Sequence, residues 1–141
     1  MIVNEQLTCS PVGKGIVTDL NNFLLADLNL SRKGKIENIE FLSGTLKDHG
    51  YSKMIHISSS SLWKRINNKK IFDRLVKKKE IWKAPALVDT DWYILTIAQQ
   101  FDYDILSNDK FREYWDEFGR DWIEYKRKTF MFIEDKIIIK F

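Results

Sequence analysis

Residues 15–22, Gly15-Ile16-Val17-Thr18-Asp19-Leu20-Asn21-Asn22, form a short apolar run that ends on an acid and is then interrupted by turn-prone amides. The run predicts a buried first strand with Asp19 at its carboxyl end. In an open α/β sheet, ligands bind just outside the carboxyl ends of the strands, so acids far apart in sequence meet there. Two later stretches repeat the pattern. Leu87-Val88 leads to Asp91, and Ile105-Leu106 leads through Ser107 and Asn108 to Asp109, with Glu113 four residues on. Asp19, Asp91, Asp109 and Glu113 are therefore expected to converge. Hard oxygen ligands of this kind suit Mg²⁺ or Mn²⁺, which keep several waters and are held by a few carboxylates together with substrate phosphates. The expected chemistry is phosphodiester cleavage.

Working outward, residues 27–34 read as a polar loop. From Lys35 to His49, Ile36, Ile39, Leu42 and Leu46 recur at helical spacing, with Phe41 widening the stripe and Gly50 placed to end the helix. Lys53 to Ile57 alternates as a strand. Asn67 or Asn68 caps a helix to about Lys79 that turns Ile71, Phe72, Leu75 and Val76 inward. Glu80 to Trp82 reads as a short strand. Asp89 or Thr90 caps a helix with Trp92, Ile94, Leu95 and Ala98 on its apolar side, and Ile105-Leu106 is a further strand. A helix from about Lys110 to Phe118 follows, capped by Asp109 and ended by Gly119, which would place Glu113 and Asp116 on Asp109's side. Thr129 to Ile133 and Lys136 to Phe141 form a terminal strand pair, in which the three isoleucines read as a core strand ahead of an edge strand or a contact between two copies. Alternating strands and helices imply right-handed crossovers. The expected fold is α/β, a three-layer sandwich around a mostly parallel sheet.

At 141 residues the chain fits one domain, residues 1–141. No apolar run reaches the length of a membrane span, no signal peptide is visible, and Cys9 alone cannot form an internal disulfide, so a reducing, cytoplasmic setting is expected. The net charge of +3 is small, but Lys64, Arg65, Lys69, Lys70, Arg74, Lys77, Lys78 and Lys79 crowd one stretch. That stretch is either a phosphate-attracting surface or a solvated helix face. In Ser61-Leu62-Trp63-Lys64-Arg65 an aromatic stands beside two cations; Trp63 either stacks on an unpaired base or belongs partly to the core. Asn22, Ser107 and Asn108 admit two uses each, as turn-formers or as hydrogen-bonding partners of a hydrated metal or phosphate. His49 and His56 have no metal-pair or nucleophile-and-base spacing and are read as structural. GxxxxGK, GxGxxG and GxSxG are all missing, which removes the main nucleotide-binding and hydrolase alternatives.

These residues together resemble a known family, the NYN branch of PIN-like nucleases, in particular the Regnase-type ribonuclease domains joined to CCCH zinc fingers in animal mRNA-degrading proteins. VTDLNN resembles the family's first-strand D-x-x-N motif, and IENIEFLSGTLKDHGY its first long helix. SSLWKR resembles its W-R/K loop, and DWYILTIAQQ the helix that opens with the second acid. ILSNDKFRE resembles its most specific signature, S-N-D with an acid four residues later, and FMFIEDK its closing strand. The resemblance implies a PIN-like (Rossmannoid) fold and a Mg²⁺-dependent endoribonuclease acting on single-stranded or stem-loop RNA. It implies Asp19, Asp91, Asp109 and Glu113 as the metal-binding set with Asn22 beside them; Trp63, Lys64, Arg65 and Asn108, from their own chemistry, are the residues expected on the RNA. The chain departs from the pattern at Thr90-Asp91, where the family often has two adjacent acids, at Glu113, where it has Asp, and in a basic loop shortened to Lys83-Ala84-Pro85. One cysteine supplies no zinc-finger ligand set. Two further readings follow from the same residues. One is an RNA-binding module that kept the fold and lost catalysis; the other is the toxin nuclease of a toxin–antitoxin or defence system, with a protein inhibitor as partner.

Overall fold

Buried on both faces along its whole length, β1 (Gly15–Asp19) occupies a central position in the sheet. In the computed structural model, which describes residues 14–27, 33–134 and 136–141, six strands lie in the order β3-β2-β1-β4-β5-β6. Strands β2 (Lys53–Ser58), β3 (Ile81–Lys83), β4 (Asp104–Leu106) and β5 (Arg127–Ile133) extend the parallel array begun by β1. Only β6 (Lys136–Lys140) runs antiparallel, paired to β5 with Met131 opposite Ile138. Alternate residues of β1 feed opposite layers. Ile16 packs with Leu20, Phe23, Leu24, Leu42 and Phe72, whereas Val17 packs with Ile94, Leu95, Ala98 and Ile123. Helices α1 (Leu20–Ala26), α2 (Asn38–Asp48) and α3 (Lys69–Lys77) thus cover one face, and α4 (Thr90–Phe101) and α5 (Arg120–Lys126) the other. This is the three-layer α/β sandwich with a mostly parallel sheet that the alternation of elements implies.

The Tyr103 ring packs over the start of β1, and a Cβ on Gly15 would run into it, so any larger residue there would displace that ring. At the end of α2, Gly50 has φ of 94° and hands Tyr51 into the core, with the Tyr51 amide closing on the Leu46 carbonyl at 3.1 Å. Asn68 caps α3 by accepting the Ile71 amide, and Asp89 caps α4 by accepting the Asp91 amide. Among the described residues no helix is long and apolar enough to cross a membrane.

Several expectations are corrected. The chain does not turn after Asp19 but enters α1 at once, because the Asp19 carboxylate itself caps that helix. Phe41 is 64% exposed and does not widen the α2 core stripe, and Trp92 lies at the rim of α4, with its indole N–H on Glu117. The helix expected from Lys110 to Phe118 is instead a 3-10 turn (Arg112–Tyr114) and a π-turn (Trp115–Gly119), and α5 begins only after Gly119. Phe111 at φ 55° and Gly119 at φ 92° interrupt a regular helix on either side. Strand β6 is an edge strand whose residues alternate between packed and solvent-facing, so its three isoleucines are not a core strand. Cys9 and most of the polar loop at 27–34 lie outside the described residues.

Candidate active site

Three carboxylates reach the carboxyl edge of the sheet by separate local devices. Asp19 ends β1 and is 4% exposed; its Oδ1 accepts the Asn22 amide at 3.4 Å and its Oδ2 accepts the Ser107 hydroxyl at 2.8 Å. Ser107, just past β4, also accepts the Asp109 amide at 3.0 Å, so one hydroxyl couples the first acid to the backbone of the third. Asp109 in turn accepts the Phe111 amide at 2.9 Å, which folds the chain into its left-handed step at Phe111. Asp91 stands in the first turn of α4. Glu113 comes from the 3-10 turn and not from the helical face that its spacing suggested, yet it still faces Asp91 across a hollow.

Two hollows meet at Asp91 and Asp109. One, of about 420 Å³, runs under Asp19 and Asn22 to Leu25 and Ala26; the other, of about 440 Å³, is walled by Lys110, Arg112, Glu113 and Tyr114. Among the described residues, none of the four acids forms an ion pair. The electrostatic consequence is direct. Burial pushes the Asp19 carboxyl up to about 6, and Asp109 adds repulsion. Asp91 is pushed up to about 7, first by burial and then by the charges of Asp19, Asp109, Asp89 and Glu113. Acids arranged this way have no ion-pair partner among the described residues, and either protons or a cation offsets their charge. Among the described residues no three His, Cys, Asp or Glu side chains close into a ready-made coordination shell.

The amides around the acids hold the loops. Asn22 Oδ1 accepts the Asn108 amide at 2.9 Å, tying α1 to the turn after β4. Asn21 pairs with Ser59 through both ends of its side chain, at 2.8 and 3.0 Å, and so ties the turn after β2 to the same edge. Asn108 is expected on the RNA, but both ends of its side-chain amide, at 3.0 Å each, pin the Phe130 backbone of β5. Trp63, Lys64 and Arg65 form a 3-10 turn at the carboxyl end of β2, outside both hollows. Trp63 is 38% exposed with the Lys69 ammonium 5.0 Å from its ring, while Lys64 and Arg65 face solvent. His56 is buried, 2.6 Å from the Thr18 hydroxyl, and burial drives its imidazole down to about 4, so it stays neutral. Sequence reasoning missed Asp89, Tyr114, Lys110 and Arg112 as parts of this edge. Asp89 and Tyr114 touch across 25 positions, a separation that no helical or strand period marks.

The architecture is similar to two solved structures of Arabidopsis thaliana nuclear protein-only RNase P 2. One has a TM-score of 0.71 and 16% identity over 90% of this chain and 29% of that one; the other has 0.71 and 15% over 92% and 30%. At such identity the likeness concerns the fold, and this chain spans under a third of those proteins' length. No curated protein matches the sequence. Residues 14–140 match the family described as the Zc3h12a-like ribonuclease NYN domain, and since the match takes in all but the two ends, the chain belongs to that family.

Proposed function

We propose that the chain is a metal-dependent endoribonuclease that hydrolyses phosphodiester bonds in single-stranded or stem-loop RNA, with Mg²⁺ or Mn²⁺ held by Asp19, Asp91, Asp109 and Glu113. The observation that carries this reading is the meeting of uncompensated carboxylates from β1, α4 and the segment after β4 at one edge of the sheet. Asp19 and Asp109, coupled through Ser107, are the fixed side of the site; Asp91 and Glu113 face them from the α4 side. Asp19, Asp91, Asp109 and Glu113 would hold the divalent cation, which would supply positive charge for the scissile phosphate and acidify the attacking water. The chain's own residues set the geometry. Ser107 and the Asn22 amide hold Asp19 in orientation, and Asn22 fixes the loop that carries Asp109. Lys110 and Arg112 line the wall of the second hollow, where a cation beside the acids would meet a neighbouring phosphate.

Incubation of the protein with end-labelled single-stranded RNA in Mg²⁺, Mn²⁺ or EDTA tests this directly. Internal cuts in either metal and none in EDTA are expected. Retention of RNA without cuts in every metal would replace the nuclease reading with that of an RNA-binding module.

The RNA lead-in is assigned to Trp63, Lys64 and Arg65, since their turn is tied through Ser59 and Asn21 to the helix that follows Asp19. Each phosphate contact contributes a counterion-release term of roughly 0.7 to the salt slope on single strands. Lys64→Ala/Arg65→Ala should therefore weaken RNA association and lower the slope of log K against log salt by about 1.4 if each meets one phosphate. Fluorescence titration from low to moderate salt measures it, and an unchanged slope removes both residues from the RNA path.

A further inference from the structure

Three of the four acids of the site come from two pieces of chain that share no strand pairing: the first turn of α4, with Asp91, and the irregular segment after β4, with Asp109 and Glu113. Both carry negative charge, so something must hold them together against their repulsion. The backbone of the second piece is poorly suited to that task, being a left-handed step, a 3-10 turn and a π-turn in succession. Two side-chain hydrogen bonds cross the gap instead. The Tyr114 hydroxyl donates to Asp89 Oδ2, and the Trp92 indole N–H donates to Glu117 Oε2 at 2.9 Å.

Asp89 is engaged through both oxygens. Its Oδ1 accepts the Asp91 amide at 3.1 Å while its Oδ2 accepts from Tyr114, so one carboxylate joins the backbone of Asp91 to the residue next to Glu113. Tyr114 is itself braced, its ring meeting Phe118 edge-on with centroids 6.2 Å apart, and Phe118 stacks on Trp122 at 6.2 Å. We propose that Asp89, Tyr114 and Trp92 are positioning residues that set the distance between Asp91 and Glu113, and that Asp89 is a bracket, not one of the metal-site carboxylates. The consequence for rate rests on the nuclease reading above; the consequence for metal affinity requires only that the acids take up a divalent cation.

Tyr114→Phe removes the hydroxyl and keeps the ring against Phe118, and Trp92→Phe removes only the indole donor and its larger ring. Loss of such outer contacts typically weakens metal affinity or activity by about 10- to 100-fold. Each variant is expected to bind Mn²⁺ at least about tenfold more weakly by EPR titration, and to lower kcat at fixed Mg²⁺ by a similar factor with KM for RNA unchanged. Because Tyr114 and Asp89 form one unit, Tyr114→Phe combined with Asp89→Asn should be no worse than the more impaired single variant. Mn²⁺ affinity within twofold of the parent in both ring variants would overturn the proposal, as would additive losses in the double variant or a parent that takes up no Mn²⁺. If the parent binds Mn²⁺ but cuts no RNA, the nuclease reading fails alone, and weakened or unchanged Mn²⁺ binding in Tyr114→Phe still decides for or against the bracket.

Discussion

Asp109→Asn and Asp19→Asn should each lower RNA cleavage by about a thousandfold or more while leaving the fold in place. A divalent cation contributes several kcal/mol of charge stabilisation in phosphoryl chemistry, and each 1.36 kcal/mol is a factor of about ten in rate, so a damaged metal site loses roughly three powers of ten. The local structure survives for reasons visible at each position. Asp109 accepts the Phe111 amide through Oδ1, a bond that the carbonyl oxygen of a substituted carboxamide would reproduce. Asp19 is harder to replace, because both its oxygens are engaged. Losing one of those hydrogen bonds costs about 1 kcal/mol. Against that, an acid whose pKa rises from 3.8 to about 6 on burial destabilises the folded chain at pH 8 by about 3 kcal/mol when no cation is bound. The second effect is larger. Metal-free Asp19→Asn should therefore melt at or above the parent's temperature, and the inactive variants should still retain RNA. Cleavage at more than a tenth of the parent rate in both would take these acids out of the mechanism; a collapsed melting curve would mean that Asp19 is held for the fold alone.

Much of this edge can be read from the order of residues, and the part that cannot has a physical reason. Strand β1, helix α2, helix α3 and strand β4 carry periodic apolar residues whose burial is decided locally, so Ile16, Leu42, Phe72 and Ile105 all fall inside as the pattern implies. Asp19 and Asp109 are legible as sheet-edge acids because each lies at or just past the end of a strand, and Asp91 because it stands in the first turn of α4. The stretch from Asp109 to Gly119 defeats the same reasoning. Its acids sit at helical spacing, but the Asp109 side chain takes the Phe111 amide, the backbone turns left-handed, and Trp115 Nε1 bonds back to the Lys110 carbonyl at 3.0 Å. Helical periodicity there reflects charge placement and not backbone hydrogen bonding. The pair Ile137-Ile138 misleads for a different reason: Ile137 packs against the α1–α2 layer, while Ile138, on the opposite face of β6, is 46% exposed. An apolar run reads the same whether one of its faces is covered or both.

Acidification should move activity and metal-free stability in opposite directions. Asp19, raised to about 6, and Asp91, raised to about 7, must both be ionised to hold a cation, so protons and metal compete for the same oxygens. Below about pH 6, at subsaturating Mg²⁺, two protons oppose each cation bound. The rate should then fall with a limiting slope of two, up to about a hundredfold per pH unit, and added Mg²⁺ should shift the fall to lower pH. Without metal the sign reverses. Between the unfolded value near 3.8 and the raised folded values, the folded chain binds more protons than the unfolded chain, so stability falls as pH rises through that window and grows as pH drops from about 7 toward 5. Asp19 carries most of this effect, since it is almost fully buried, while the half-exposed Asp91 contributes a portion screened by water. Rate profiles at two Mg²⁺ concentrations, with melting temperatures in EDTA across the same pH range, measure both limbs. A slope of one, insensitive to Mg²⁺ and centred near pH 4, would mean that the acids titrate as ordinary surface carboxylates and that no cation depends on them. A metal-free melting temperature that rises between pH 5 and 7 would mean that Asp19 has a positive partner in solution, and the case for a cation at this edge would lose its electrostatic ground.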